Sequence, residues 1–455
     1  KTNLFNRNAD LLHGPIFKNL FLFMLPILVS NLFQQLYNTV DTMIVGNVLG
    51  DTALAAIGSC GSIYELLVGF GIGIGNGLSI VAARSYGAQD EDLLKRTVAG
   101  SLVIGLCASF VITTAGFFGL RPLLQLLDTP AEILEDAYRY IIVIDLGVLV
   151  MFLYNLCAGL LRAIGNSVMP LVFLLISSGL NVALDLLFIA RMGMGVQGAA
   201  VATVLGQTVG AVLGIYMNLR HNPEIHLHVR YMRPRWQTIR PVLEVGIPSV
   251  IMNGIGSVMN FGINQILQGF HETATGVFGI YFKLQSLFCM PLFGINNATI
   301  SIMAYNYGAR KPKRITRTLK LATAVGVVIM VLGMLAFLCI PQVLLSLFNP
   351  TEAFLSIGTR ALRILGLPFP LAAICICLSA SFQALGKGSY STIVSLSRQL
   401  LVLLPVAYLL SLTGNVDNVW WAFPIAELAS LTATCLLFGK LYRTRIKPLM
   451  GEGNV

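Results

Sequence analysis

The segment AARSYGAQ, residues 82–89, returns as MAYNYGAR at residues 303–310, an offset of 221 residues. Each copy ends a long apolar stretch. The same offset lays Thr52 and Ala53 on Thr273 and Ala274, Gly58 on Gly279, and Gly73, Ile74 and Asn76 on Gly294, Ile295 and Asn297. It also lays Arg96 and Thr97 on Arg317 and Thr318, and Ala163 and Gly165 on Ala384 and Gly386. Matches at one offset from residue 52 to residue 165 do not come from composition alone, so the chain reads as a duplication.

The composition says where the duplicated unit sits. Hydrophobic residues make up 56% of the 455 residues, charged residues only 11%, and mean hydropathy is +0.79. Soluble domains carry about 25% charged residues, and a disordered chain lacks apolar ones. A polytopic membrane protein remains. A bilayer core takes about 20 apolar residues per helix, and twelve stretches qualify: 16–46, 53–83, 97–120, 133–161, 168–190, 195–219, 241–269, 273–304, 318–346, 354–384, 389–411 and 418–439. Closed β-barrels are excluded, because their strands are shorter and alternate in polarity. Pro26, Pro248, Pro291, Pro368 and Pro370 read as kinks, which membrane helices tolerate. The expected fold is an all-α membrane protein, twelve transmembrane helices in two six-helix pseudo-symmetric lobes: residues 1–219, a linker loop at 220–240, and residues 241–455. Six spans per half make the repeat parallel, about an axis along the membrane normal.

Loop charge orients it. With the N-terminus inside, 23 of the 30 Lys and Arg fall on the cytoplasmic side, and only Arg121 and Arg191 lie outside. The positive-inside rule then places both termini in the cytoplasm. The net charge of +10 is thereby read as topology, and no nucleic-acid partner is expected. The polar opening KTNLFNRNADLLHGP does not read as a cleavable leader.

Acids inside spans are expensive and face a cavity or a partner. They are Asp41, Glu65, Asp145, Asp185 and Glu427. Four belong to the first half, so an ion site is expected there. In SGLNVALDLLF, residues 178–188, Asn181 and Asp185 stand four apart on one helical face. An amide carbonyl beside a carboxylate suits a proton relay or a hard cation such as Na⁺, and equally a polar pair that joins helices. Asp145 could neutralise Arg139 or lie near the outer surface. Glu65 and Glu427 could pair with the buried bases Lys283 and Arg398, as secondary polar sites. The glycine run GFGIGIGNG at 69–77 lacks a GK[ST] ending and reads as close helix packing. The five histidines lie in loops or at span ends, which argues against a membrane metalloenzyme. No P-loop is present, and the eight cysteines have no zinc-like or disulfide spacing.

With these motifs in order, the chain resembles the multidrug and toxic compound extrusion (MATE) transporters, in their bacterial and archaeal DinF-like branch. The likeness spans essentially the whole chain. It rests on VDTMIVGNVLG after span 1, AARSYGAQ after span 2, LNVALDLLFI in span 5, MAYNYGARKPKR after span 8 and SLSRQLLVLLP in span 11. The resemblance implies a prokaryotic plasma-membrane exporter, not an enzyme, that works as a monomer without cofactor. It would exchange amphiphilic, often cationic, drug-like compounds for H⁺ or Na⁺ by alternating access. It further implies a first-lobe coupling site of Asp41, Asn181, Asp185, Thr203, Tyr140 and Asn155, with Na⁺ taken by Asp41, Asn181, Asp185 and Thr203. The NorM-like branch has acids in spans 7 and 10, which this sequence lacks there. Rival readings are a lipid-linked oligosaccharide flippase of the same superfamily, a channel and a membrane enzyme.

Overall fold

In hydrocarbon, a backbone satisfies its own polar groups only as a helix or a closed barrel. A computed structural model of the chain describes residues 16–50, 60–126, 131–221, 236–270, 272–346 and 351–452, with Ala53, Ala56 and Ile57, and every regular element among them is helical. The first half holds α1 (Ile16–Leu49), α2 (Gly61–Gly87), α3 (Glu91–Leu126), α4 (Ala131–Leu146 with Val148–Ala163), α5 (Val168–Asp185, running on through Leu186–Arg191) and α6 (Val196–His221). The second holds α7 (Trp236–Gln268), α8 (Glu272–Gly308), α9 (Pro312–Cys339 with Pro341–Ser346) and α10 (Glu352–Gly366 with Phe369–Ala384). It ends with α11 (Gly388–Leu396, Ser397–Leu403 and Leu404–Ser411) and α12 (Val416–Trp420, Ala422–Leu441 and two short terminal segments). Among the described residues nine helices are long and apolar enough to cross a membrane, and the bent pairs in α4 and α10 raise this to eleven. With α1, whose apolar part is Lys18–Gln34, there are twelve.

The duplication is visible in the backbone. Left-handed residues occur in pairs 221 apart: Gln89 (φ 57°) with Arg310 (φ 58°), Gly165 (φ 91°) with Gly386 (φ 87°), and Gly193 (φ 62°) with Gly414 (φ 77°). The first pair is telling, because side chains with a Cβ are disfavoured in that region. The bends match as well: α4 turns by 48° at Gly147, and α10 by 46° where Pro368 stands. Prolines alone do not mark the bends. Pro26, Pro248 and Pro291 lie inside unbroken helices, whereas α4 bends at a glycine, which lets Val204 approach where a Cβ would meet it at 2.6 Å.

Two compact units share the chain, Phe21–Val250 and Ile251–Val455, with the start of α1 up to Leu20 counted in the second. In the first, Ile63, Leu120, Leu124, Ile141, Ile144 and Ile189 pack into one core. The glycine run builds a two-sided seam there. Gly71 and Gly75 face Met151, Phe152 and Asn155 of α4, and Gly73 and Gly77 face Val242, Gly246 and Val250 of α7. Small residues let membrane helices approach to backbone contact. In the second unit α8, α9 and α10 meet around Phe278, Leu284, Phe337, Phe369 and Trp420, with the Phe337 and Phe369 rings 4.8 Å apart.

Candidate functional site

Tyr37 and Asp41 lie one turn apart on α1, and Asn181 and Asp185 one turn apart on α5, so each pair shares a helical face. The two faces meet. Asn181 Nδ2 donates to the Tyr37 hydroxyl and, at 3.4 Å, to Thr203 Oγ1 of α6. The Thr203 hydroxyl donates to Ala199 O of its own helix at 3.0 Å. Asp41 and Asp185 are near enough for their carboxyl groups to interact electrostatically. The phenol groups of Tyr64 on α2 and Tyr140 on α4 lie close enough to interact electrostatically with Asp41.

The cluster is short of donors. Asp185 is fully buried and Asn181 nearly so. Both carboxylate oxygens of Asp185, Oδ1 of Asp41 and Oδ1 of Asn181 are buried and accept no hydrogen bond. Buried acceptors of this kind are costly and call for a compensating group. Four hard oxygen acceptors, with Thr203 Oγ1 beside them, match what a proton or an alkali cation takes.

The structure thus gathers Asp41, Asn181, Asp185, Thr203 and Tyr140 in one region. Asn155 lies on α4 beside the glycine run of α2. Its Nδ2 donates to Met151 O at 2.8 Å and it packs on Gly71 and Gly75; among the described residues no hydrogen bond joins it to the carboxylates. Tyr37 was missing from the sequence reading, although its position one turn before Asp41 in LYNTVD was a usable signal.

The secondary polar residues separate. Asp145 is fully buried, with neither carboxylate oxygen bonded. It lies over Gly116, where a Cβ would come within 2.3 Å of either oxygen. It pairs with no arginine: Arg139 reaches Glu135 instead, at 3.8 Å. Arg398 and Glu427 form an ion pair at 3.2 Å. The side chains of Glu65 and Lys283 lie outside the described residues. Among the described residues no three His, Cys, Asp or Glu side chains gather as a metal site, and the eight cysteines are free.

The family profile described as MatE matches the chain twice, over residues 26–187 and 248–409. The chain belongs to the MatE family. The two matches reproduce the duplication, and the family is one of membrane transporters, which makes this a multi-pass membrane protein. Similar MATE proteins include the probable multidrug resistance protein YoeA of Bacillus subtilis, 28% identical over 426 residues, covering 91% of this chain and 92% of that one. The multidrug export protein MepA of Staphylococcus aureus is 23% identical, covering 95% of each chain. Among solved structures, a MATE in the bent conformation superposes with a TM-score of 0.90 at 25% identity over the full length of both chains. An outward-facing multidrug resistance MATE transporter of the MOP superfamily gives 0.88 at 25% identity, covering 99% of this chain and all of that one.

Proposed function

We propose that this MATE protein exports amphiphilic, often cationic, drug-like compounds across a prokaryotic plasma membrane in exchange for H⁺ or Na⁺. The observation that carries the reading is the pair of neighbouring carboxylates, Asp185 fully buried and Asp41 half-buried, with buried oxygens that accept no hydrogen bond among the described residues. A proton shared between the two, or a Na⁺ held by Asp41, Asn181, Asp185 and Thr203, removes the mutual repulsion. Losing that cation restores it. Loaded and unloaded forms then favour different conformations, and a ligand shifts such an equilibrium only by its differential affinity for the two states. Alternating access follows from the duplication, residues 1–219 and 241–455 rocking as lobes joined by 220–240. Both termini face the cytoplasm, where the basic loops lie. The names of the similar proteins YoeA and MepA support the substrate class.

The test is efflux of ethidium from proteoliposomes under an imposed H⁺ or Na⁺ gradient. Asp41→Asn and Asp185→Asn keep size and hydrogen bonding but lose the charge, so each should fold and lose gradient-driven efflux. Glu244→Gln, an exposed acid bonded to Arg240 at 3.0 Å, should pump as the parent does. Normal pumping by both Asn variants would remove the pair from the mechanism.

A further inference from the structure

The second unit contains a cavity of about 140 Å³ that the exchange reading does not use. Tyr281 and Phe282 of α8 and Phe423 of α12 give it aromatic walls, and Arg398, Gln399 and Glu427 line it with polar groups. Arg398 Nη1 donates to Glu427 Oε1 at 3.2 Å. Glu427 Oε2 and Gln399 Oε1 are buried and accept no hydrogen bond among the described residues.

The two halves of the repeat differ here. At the 221 offset, Arg398 and Glu427 correspond to Ser177 and Gly206 in the first unit. There the helices close to backbone contact: a Cβ on Gly206 would stand 2.9 Å from Ser177 O. In the second unit two long side chains stand at the matching positions and pair with each other. The local backbone differs too. The wide, π-type turn of α11 begins at Ser397, beside Arg398, whereas that of α5 follows Asp185, and these two do not correspond at the offset. Such turns are enriched at functional positions.

We propose that this cavity binds an arylalkyl amine, its ring between Tyr281, Phe282 and Phe423 and its N–H groups donating to Glu427 Oε2 and Gln399 Oε1. Each buried acceptor left without a donor is costly, and an amine supplies both donors from one atom. A carboxylate ligand supplies neither, and an unsubstituted arene none. The size is right for one ring, since an apolar cavity of about 150 Å³ takes benzene. The π systems of Tyr281, Phe282 and Phe423 also favour a protonated amine, and the charge of Arg398 is already balanced by Glu427. The site stands on binding alone and does not require that Asp41 and Asp185 couple an ion.

The experiment is titration calorimetry of the purified full-length protein in detergent with benzylamine, and with benzoate and benzyl alcohol for comparison. Benzylamine should bind saturably, benzyl alcohol more weakly and benzoate not at all. Glu244→Gln, at an exposed acid outside the cavity lining, should bind benzylamine within twofold of the parent. Gln399→Leu, and the double variant Arg398→Gln/Glu427→Gln, which leaves no unpaired charge, should each weaken it at least tenfold. Thermal unfolding checks that both are folded, and if the double variant is not, Gln399→Leu decides. No benzylamine binding, equal binding of benzoate, or parent-like affinity in folded Gln399→Leu would overturn the proposal. Loss of binding in folded Glu244→Gln would place the amine outside the cavity and overturn it as well.

Discussion

Replacing Gly77 by alanine tests the seam between α2 and α7. The new Cβ would lie 2.5 Å from Val242 O and 3.0 Å from Gly246 N. Both obstacles are backbone, so no rotamer change relieves them. Restoring ordinary contact requires the helices to part by about 0.9 Å, and a gap of that size forfeits a quarter to a half of the dispersion energy at each facing atom pair. Over roughly twenty to thirty pairs at 0.1–0.2 kcal/mol each, this amounts to about 1–2 kcal/mol, within the usual range for overpacking. Alanine returns up to about 1 kcal/mol of helix propensity, which would mask part of the loss. Gly179 on α5 supplies the comparison, because a Cβ there meets nothing within 4 Å. Gly179→Ala gains the propensity without the clash. The propensity gain is common to both, so the two variants should differ by about 1–2 kcal/mol, or roughly 2–8 °C in unfolding midpoint for a unit of this size. Thermal unfolding in one detergent at one scan rate reads this difference. Equal midpoints would refute the seam as a close backbone contact.

Other outcomes follow from the same geometry. Arg398→Leu leaves Glu427 without its partner and should cost about 3 kcal/mol, while Arg398→Leu/Glu427→Leu should recover most of it; a double variant no more stable than the single one would contradict the pairing. Asp145→Ala removes two buried, unbonded carboxylate oxygens and should be neutral or stabilising by about 1 kcal/mol; a large drop in unfolding midpoint would show that the carboxylate has a partner. In a background without native cysteines, Lys313→Cys should resist an impermeant thiol reagent on whole cells and Asn415→Cys should react. The reverse pattern would invert the topology.

The repeat was legible because it needs particular residues. Gly165 and Gly386 hold a backbone conformation that other residues resist, and both copies keep them. Hydrophobicity located the helices for the same reason, since every span must match the bilayer. The bends were harder to read. Proline was the available signal, yet a proline inside a packed membrane helix need not break it, and at Gly147 the turn depends on what packs opposite. The site was half legible. Asn181 and Asp185 share a face by simple periodicity, but that Tyr37 and Asp41 meet them is a tertiary fact. The resemblance supplied Asn155, whose side chain donates to its own helix and packs on the glycine seam. The cavity beside Arg398 had no sequence signature, because it depends on how side chains from α8, α11 and α12 pack together.

The uneven placement of charge between the halves has an electrical consequence. Arg398 and Glu427 cancel, so shifting them together through the membrane moves no net charge. Asp41 and Asp185 do not cancel. Each charge carried across the full field is worth about 2.3 kcal/mol per 100 mV, so a bare pair would feel about twice that, a pair holding one cation about that amount, and a pair holding two protons none. The resting potential of the cell would then sort the loaded forms by how many cations they carry, before any concentration gradient is counted. Efflux measured in vesicles clamped at different potentials would yield that number directly.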